Sequence, residues 1–360
     1  MAIRVIPLEP VPPEEKPDFF KHACPPTFGG SNPDPIPPTV DLARNLLVDF
    51  DLVIPDGRTL NLWIIEDPDD ETGQRRVFPS KTIRVTEGDV VRVRVGAQGG
   101  THTIHWHGIE PSPVNDGVGK HSFEVSGNFE YQWLAGQAGT YFYHCHKNTA
   151  LHVERGLYGA LIIDPKQGPG FVAAYSPPDH VIPYDVEAFW AVDEFDTRWF
   201  TLGHDSYMQQ CDPDNPVGSG TFTRDGILND FRPDVFLITG VPRVADAVPI
   251  TDPRVAVNAS AGQTVLIRVL NAGYTVQQYT LDLDAQVIAM DGRPLGVPPF
   301  GRYSSPFSLS AGTPFRLTGG RRWDLILRPA AAGTFGAKVE YFDWVKGTKY
   351  AEARTTITVA

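Results

Sequence analysis

Two short stretches in the first half of the chain concentrate the residues that bind metals. One reads His102-Thr-Ile-His105-Trp-His107-Gly108. The other reads Tyr143-His144-Cys145-His146, with His152 and Leu157 close behind. Imidazole and thiolate at this density are metal-ligand chemistry, and a sulfur donor among imidazoles points to copper. The remaining histidines, His22, His121, His180 and His204, are scattered. Taken singly they read as ordinary core or surface residues.

If both stretches are strands, alternate side chains face opposite sides. His105 and His107 then share one face, with His102 on the other. His144 and His146 share a face, with Cys145 opposite. Two constellations result. His102, Cys145 and His152 make the two-imidazole, one-thiolate set of a trigonal blue copper centre, which ordinarily carries a weak axial ligand. Leu157 stands where an axial methionine is expected, and a leucine cannot coordinate. The expectation is a three-coordinate centre with a relatively high reduction potential. His105, His107, His144 and His146 form the second set, enough imidazoles for one copper and few for a cluster. Cys145 joins the two sets covalently through its neighbours His144 and His146.

The elements that must position these residues are strands. The chain has 360 residues, enough for two domains, with 34 glycines and 33 prolines to serve many turns. A formal charge of −12 argues against a nucleic-acid partner. No apolar run approaches the ~20 residues of a membrane span, and Met1–Pro10 lack the apolar core of a signal peptide. The compartment is left open. Period-2 alternation marks Lys81–Val95, where arginines stand between valines. Strand-like runs also cover 46–54, 60–66, 129–146 and 157–163, and recur at 187–192, 234–239, 264–270, 279–289, 322–327 and 334–342. Residues 1–39 read as a proline-rich extension and 166–215 as a structured linker broken by Pro177-Pro178 and Cys211-Asp-Pro-Asp-Asn-Pro216. The flanking units, 40–165 and 216–360, repeat one another. Gly88-Asp-Val-Val-Arg-Val-Arg-Val95 parallels Gly262-Gln-Thr-Val-Leu-Ile-Arg-Val269, and Ala138-Gly-Thr-Tyr141 parallels Ala332-Gly-Thr-Phe335. Two all-β sandwiches of one ancestry are expected. With Cys145 taken as a ligand, Cys24 and Cys211 are either a disulfide pair or unpaired thiols.

The segments Thr103-Ile-His-Trp-His-Gly108, Gly139-Thr-Tyr-Phe-Tyr-His-Cys-His146 and His152-Val-Glu-Arg-Gly-Leu157 resemble those of multicopper oxidases, the laccase-like cupredoxin proteins. The resemblance implies two cupredoxin-like Greek-key β-sandwiches, with the motifs confined to the first. It implies type 1 copper ligands at His102, Cys145 and His152, a type 2 ligand at His105, and type 3 ligands at His107, His144 and His146. It also implies a small-molecule or metal-ion reductant, oxygen as acceptor, and a homotrimer in which one subunit's first domain faces a neighbour's second.

The second unit departs from that pattern. Overlaying the repeat sets Asp282 and Asp284 against His105 and His107, and Lys338 and Glu340 against His144 and His146; no histidine follows His204. Three readings stay open. The chain is a copper oxidase whose second site is completed by His180, His204 or a neighbour's Asp282, Asp284 and Glu340. It is a non-enzymatic copper or electron carrier in which the type 1 site alone works. Or another polypeptide supplies the missing ligands. A nitrite-reductase-like mechanism fits less well, lacking a second-domain histidine. In the bland alternative, the carboxylates and Lys338 form a salt-bridged face.

Overall fold

The computed structural model describes residues 36–109, 111–118, 124–174, 181–204, 231–296 and 305–360. The extension expected over 1–39 therefore lies almost wholly outside the described residues, as do His22, Cys24, His121, His180 and Cys211.

The first eight strands are β1 (Val40–Val53), β2 (Thr59–Glu66), β3 (Ser80–Thr86), β4 (Val90–His102), β5 (His105–His107), β6 (Val125–Leu134), β7 (Gly139–His144) and β8 (Tyr158–Asp164). They form two four-stranded sheets, ordered β2-β1-β4-β6 and β3-β8-β7-β5. The alternation seen in the sequence decides what lies between them. Val91, Val93 and Val95 pack inward with Phe129, Tyr131 and Trp133, against Ile83, Val85, Trp106, Tyr143 and Leu161 of the other sheet.

The run 81–95, which reads as one strand, is two. It turns at Glu87-Gly88-Asp89, where Gly88 has a φ of 100°, and its halves enter different sheets. The stretch His102–His107 divides in the same way. His102 ends β4 in one sheet and His105 begins β5 in the other, so Thr103-Ile104 carries the chain across the sandwich.

The second half repeats the two-sheet plan around its own core, which includes Trp190, Val265, Ile267, Val269, Tyr279, Leu325, Val339 and Ile357. Strand Val186–Phe195, inside the span expected as a linker, pairs in parallel with Val265–Asn271 in the larger sheet of this half. The same parallel pairing joins β1 to β4. Structurally the repeat reaches back to residue 186.

The register of the smaller sheet corrects the overlay of the two halves. His144 pairs with His105 in the first half; Lys338, its counterpart, pairs with Thr280. Thr280 and Asp282 therefore stand where His105 and His107 stand, two residues earlier than the overlay set them. Asp284 lies past the strand end and accepts a bond from the Ala311 N–H at 2.8 Å.

An apolar seam joins the halves. Phe78, Phe142, Val153 and Tyr158 pack with Ala191, Phe195, Leu237 and Leu270. Buried polar contacts cross the same seam. Thr140 donates to Asp324 at 2.6 Å, Tyr158 to Asp193 at 2.7 Å, and Arg268 to Thr140 at 2.8 Å.

Candidate metal centres

Three side chains converge inside the first sandwich. His102 comes from the end of β4, Cys145 from the residue after β7, and His152 from the helix Thr149–Glu154. Cys145 Sγ lies 3.5 Å from His102 Nδ1 and 3.3 Å from His152 Nδ1. All three are fully buried. The loop is fixed by its backbone: the Cys145 N–H donates to Leu157 O and the Leu157 N–H to His152 O, both at 3.0 Å. Burial pushes the thiol up to about 11 in the metal-free chain. Leu157, also fully buried, brings no donor atom to this set.

The second set forms on the outer face of the β5–β7 edge. Trp106 and Tyr143 point inward, so the alternation turns His105, His107 and His144 outward. Ligand atoms of these three lie within 4.8 Å of one another. His146 stands beside them, its ring centroid 5.3 Å from that of His105.

Hydrogen bonds leave defined nitrogens for a metal. His105 Nδ1 faces the Asp116 carbonyl at 2.9 Å and His144 Nδ1 faces the Cys145 carbonyl at 2.9 Å. Each is thereby the protonated nitrogen, and Nε2 keeps its lone pair. His107 Nδ1 lies 3.3 Å from His144 Nε2. Burial, then the Arg322 guanidinium and neighbouring imidazoles, lowers His107 to about 3. Burial and the same crowding hold His144 well below the ordinary histidine value. Both are neutral bases at physiological pH, the form that coordinates metals.

The second sandwich closes one side of this set. A Cβ on Gly320 would lie 3.1 Å from His107 Cε1, and its φ of 77° also suits glycine. Phe142 stacks on His107 at 4.3 Å and on His144 at 5.0 Å between centroids.

Residues 71–168 match the family model described as multicopper oxidase. Over 293 residues the chain is 28% identical to putative laccase-9 of Oryza sativa subsp. japonica, covering 78% of this chain and 42% of that protein. The chain is thus similar to laccase-like multicopper oxidases, and the family match covers the segment that carries both donor sets. Copper resistance protein A of Pseudomonas syringae pv. tomato is 39% identical over 122 residues, 31% of this chain and 20% of that protein. The chain spans less than half the length of these curated relatives. The blue copper oxidase from Nitrosomonas europaea shares the fold, with a TM-score of 0.60 at 23% identity over 89% of this chain and 85% of that one.

The donors present suit copper. Bonds of ~2.0 Å to nitrogen and ~2.3 Å to sulfur about a trigonal ion set N and S roughly 3.7 Å apart, close to the separations at Cys145. Thiolate with two imidazoles is a copper set.

Two placements bear on readings the sequence left open. His204, which reads as an ordinary residue or as a donor completing the second site, packs instead on His102 and His152 of the first. The carboxylates of the second half are engaged locally. Glu340 takes bonds from Gln278, Lys338 and Lys349, and Asp282 from the Gly336 N–H at 3.0 Å. Glu340 with Lys338 and Lys349 is salt-bridged, as in the bland alternative, whereas Asp282 and Asp284 are held by backbone N–H groups. Gly320 and Arg322 carry no motif, and Phe142, though inside Gly139–His146, is not marked by sequence alone as a partner of the imidazoles.

Proposed function

We propose that this chain is a copper-dependent oxidoreductase. It takes single electrons from a small organic or metal-ion reductant at His102, Cys145 and His152. It passes them to a second copper held by His105, His107, His144 and His146, with oxygen as the final acceptor. The observation that carries this reading is the position of Cys145. Its side chain turns into the sandwich toward His102 and His152, while the adjacent His144 turns outward to His105 and His107. One peptide segment thus serves both centres, and a simple blue copper protein has no use for the outward set.

Copper at these positions would supply one-electron exchange. The chain's residues do the rest. The buried pocket keeps water from the thiolate, and Leu157 withholds a fourth donor, which favours a high potential. Thr103 Oγ1 accepts from the His146 N–H at 3.0 Å and ties β7's end to the crossover beside His102. The same reading divides the chain into an extension, a copper-binding unit over about 40–165, and a second unit without ligands that takes in Val186–Phe195. It assembles as a homotrimer, with a neighbour's second unit over the outward imidazoles.

A second reading, a copper or electron carrier, is favoured by Thr280, Asp282, Lys338 and Glu340 standing where the second half would need imidazoles. Metal counting separates the two. Two or more coppers per chain, with oxygen consumed on adding a reductant, support the oxidoreductase. One copper, strongly coloured and without oxygen uptake, supports the carrier. Cys145→Ser is expected to abolish the colour, and a colour that persists would sink the assignment of Cys145.

A further inference from the structure

Both imidazoles of the thiolate centre turn their second nitrogen toward one residue. His152 Nε2 lies 3.0 Å from the main-chain oxygen of His204, and His102 Nε2 lies 3.3 Å from His204 Nε2. Asn148 Nδ2 donates to the same carbonyl at 3.2 Å. The His204 ring centroid is 4.7 Å from that of His102, 4.6 Å from that of His152 and 6.3 Å from that of Trp63. Room for it is made at Gly100, where a Cβ would sit 2.6 Å from His204 Cε1. His102 and His152 have no exposed surface, whereas His204 is partly exposed.

We infer that His204 is the residue against which a reductant docks to reach the thiolate centre, and that it selects which reductants are accepted. The inference rests on the copper reading of that centre. The two halves of the residue do separate work. Its carbonyl accepts the proton of His152 Nε2, which leaves Nδ1 for the metal, as an outer partner commonly does. Its ring covers His102 Nε2. A reductant that cannot touch either ligand meets the centre at His204, the partly exposed residue that contacts both. A flat aromatic reductant gains a stacking partner there; a hydrophilic complex ion gains nothing. A phenol so placed loses one electron and one proton. The electron takes Cu(II) to Cu(I), the proton goes to solvent, and the phenoxyl radical leaves.

His204→Ala removes the ring and keeps the carbonyl. In the metal-free chain, peptide mapping after diethyl pyrocarbonate treatment is expected to show His102 shielded in the wild type and modified in the variant. His204→Gln, which refills the space, is expected to restore the shielding. In the copper-loaded chain, bleaching of the thiolate band by hexacyanoferrate(II) is expected to gain about tenfold relative to bleaching by a simple phenol, a barrier difference of about 1.4 kcal/mol. Equal modification of His102 in wild type and His204→Ala would overturn the shield. An unchanged ratio of the two bleaching rates would overturn the selection. A chain that takes up no copper fails the proposed function, while the metal-free mapping still decides whether His204 covers the centre.

Discussion

Glu194→Gln should flatten the pH dependence of stability between about pH 5 and 8 (measured, for the wild-type fall, against the same chain's own value at pH 5). Glu194 lies in strand Val186–Phe195 and is fully buried. Its carboxyl takes bonds from the N–H groups of Tyr274 at 2.6 Å and Thr275 at 2.7 Å, from Thr275 Oγ1 at 2.9 Å and from Gln277 Nε2 at 3.2 Å. Burial outweighs these donors and raises the group from 4.5 to about 7. The folded chain therefore keeps a proton that the unfolded chain has lost across that window. Stability falls as pH rises through it and levels off above about 7. The difference corresponds to about 3 kcal/mol. Asp193, pushed up by burial and by Glu194 itself, acts in the same sense. The variant is expected to cost roughly 1–3 kcal/mol at pH 5, since an amide accepts at one atom only, but to lose much less between pH 5 and 8. Urea unfolding of the metal-free chain at both pH values measures the difference between the two proteins, in which titrating groups not coupled to Glu194 cancel, while the part of the Asp193 shift that Glu194 causes is lost with it. Parallel pH profiles would refute the argument that Glu194 is buried protonated. The site is linked to this group: the Tyr274 hydroxyl donates to Ala150 O at 2.7 Å, in the helix that carries His152.

Phe142→Ala removes a buried ring stacked on His107 and His144 and is expected to cost about 3 kcal/mol of stability. It should also weaken metal uptake at the outward imidazoles about tenfold, as loss of an orienting partner does, while the thiolate colour stays; competition with a chelator measures this. The trimer is checked by light scattering at several concentrations, with a mass of three chains expected and a monomeric mass counting against it.

The donor set and the all-β class were legible in the sequence because both are local. Residue type names a ligand, and alternation of valines with arginines in 90–95 names a face. Alternation also sets His144 apart from Cys145, since consecutive residues of an extended segment face apart, and places His105 and His107 on the His144 side. Tertiary structure decided what depends on partners far along the chain. Whether 81–95 is one strand or two turned on which sheet each half joins. Val186–Phe195 became part of the second sandwich because its parallel partner is Val265–Asn271, about 80 residues on. A register set by Thr280 opposite Lys338 moved the overlay by two residues, which no similarity of short motifs could detect. Above all, the sequence read His204 as an ordinary residue or as a donor for the other site, because nothing near it in the chain binds metal. Only folding sets it against His102 and His152, where contact in space rather than spacing along the chain defines what a residue does.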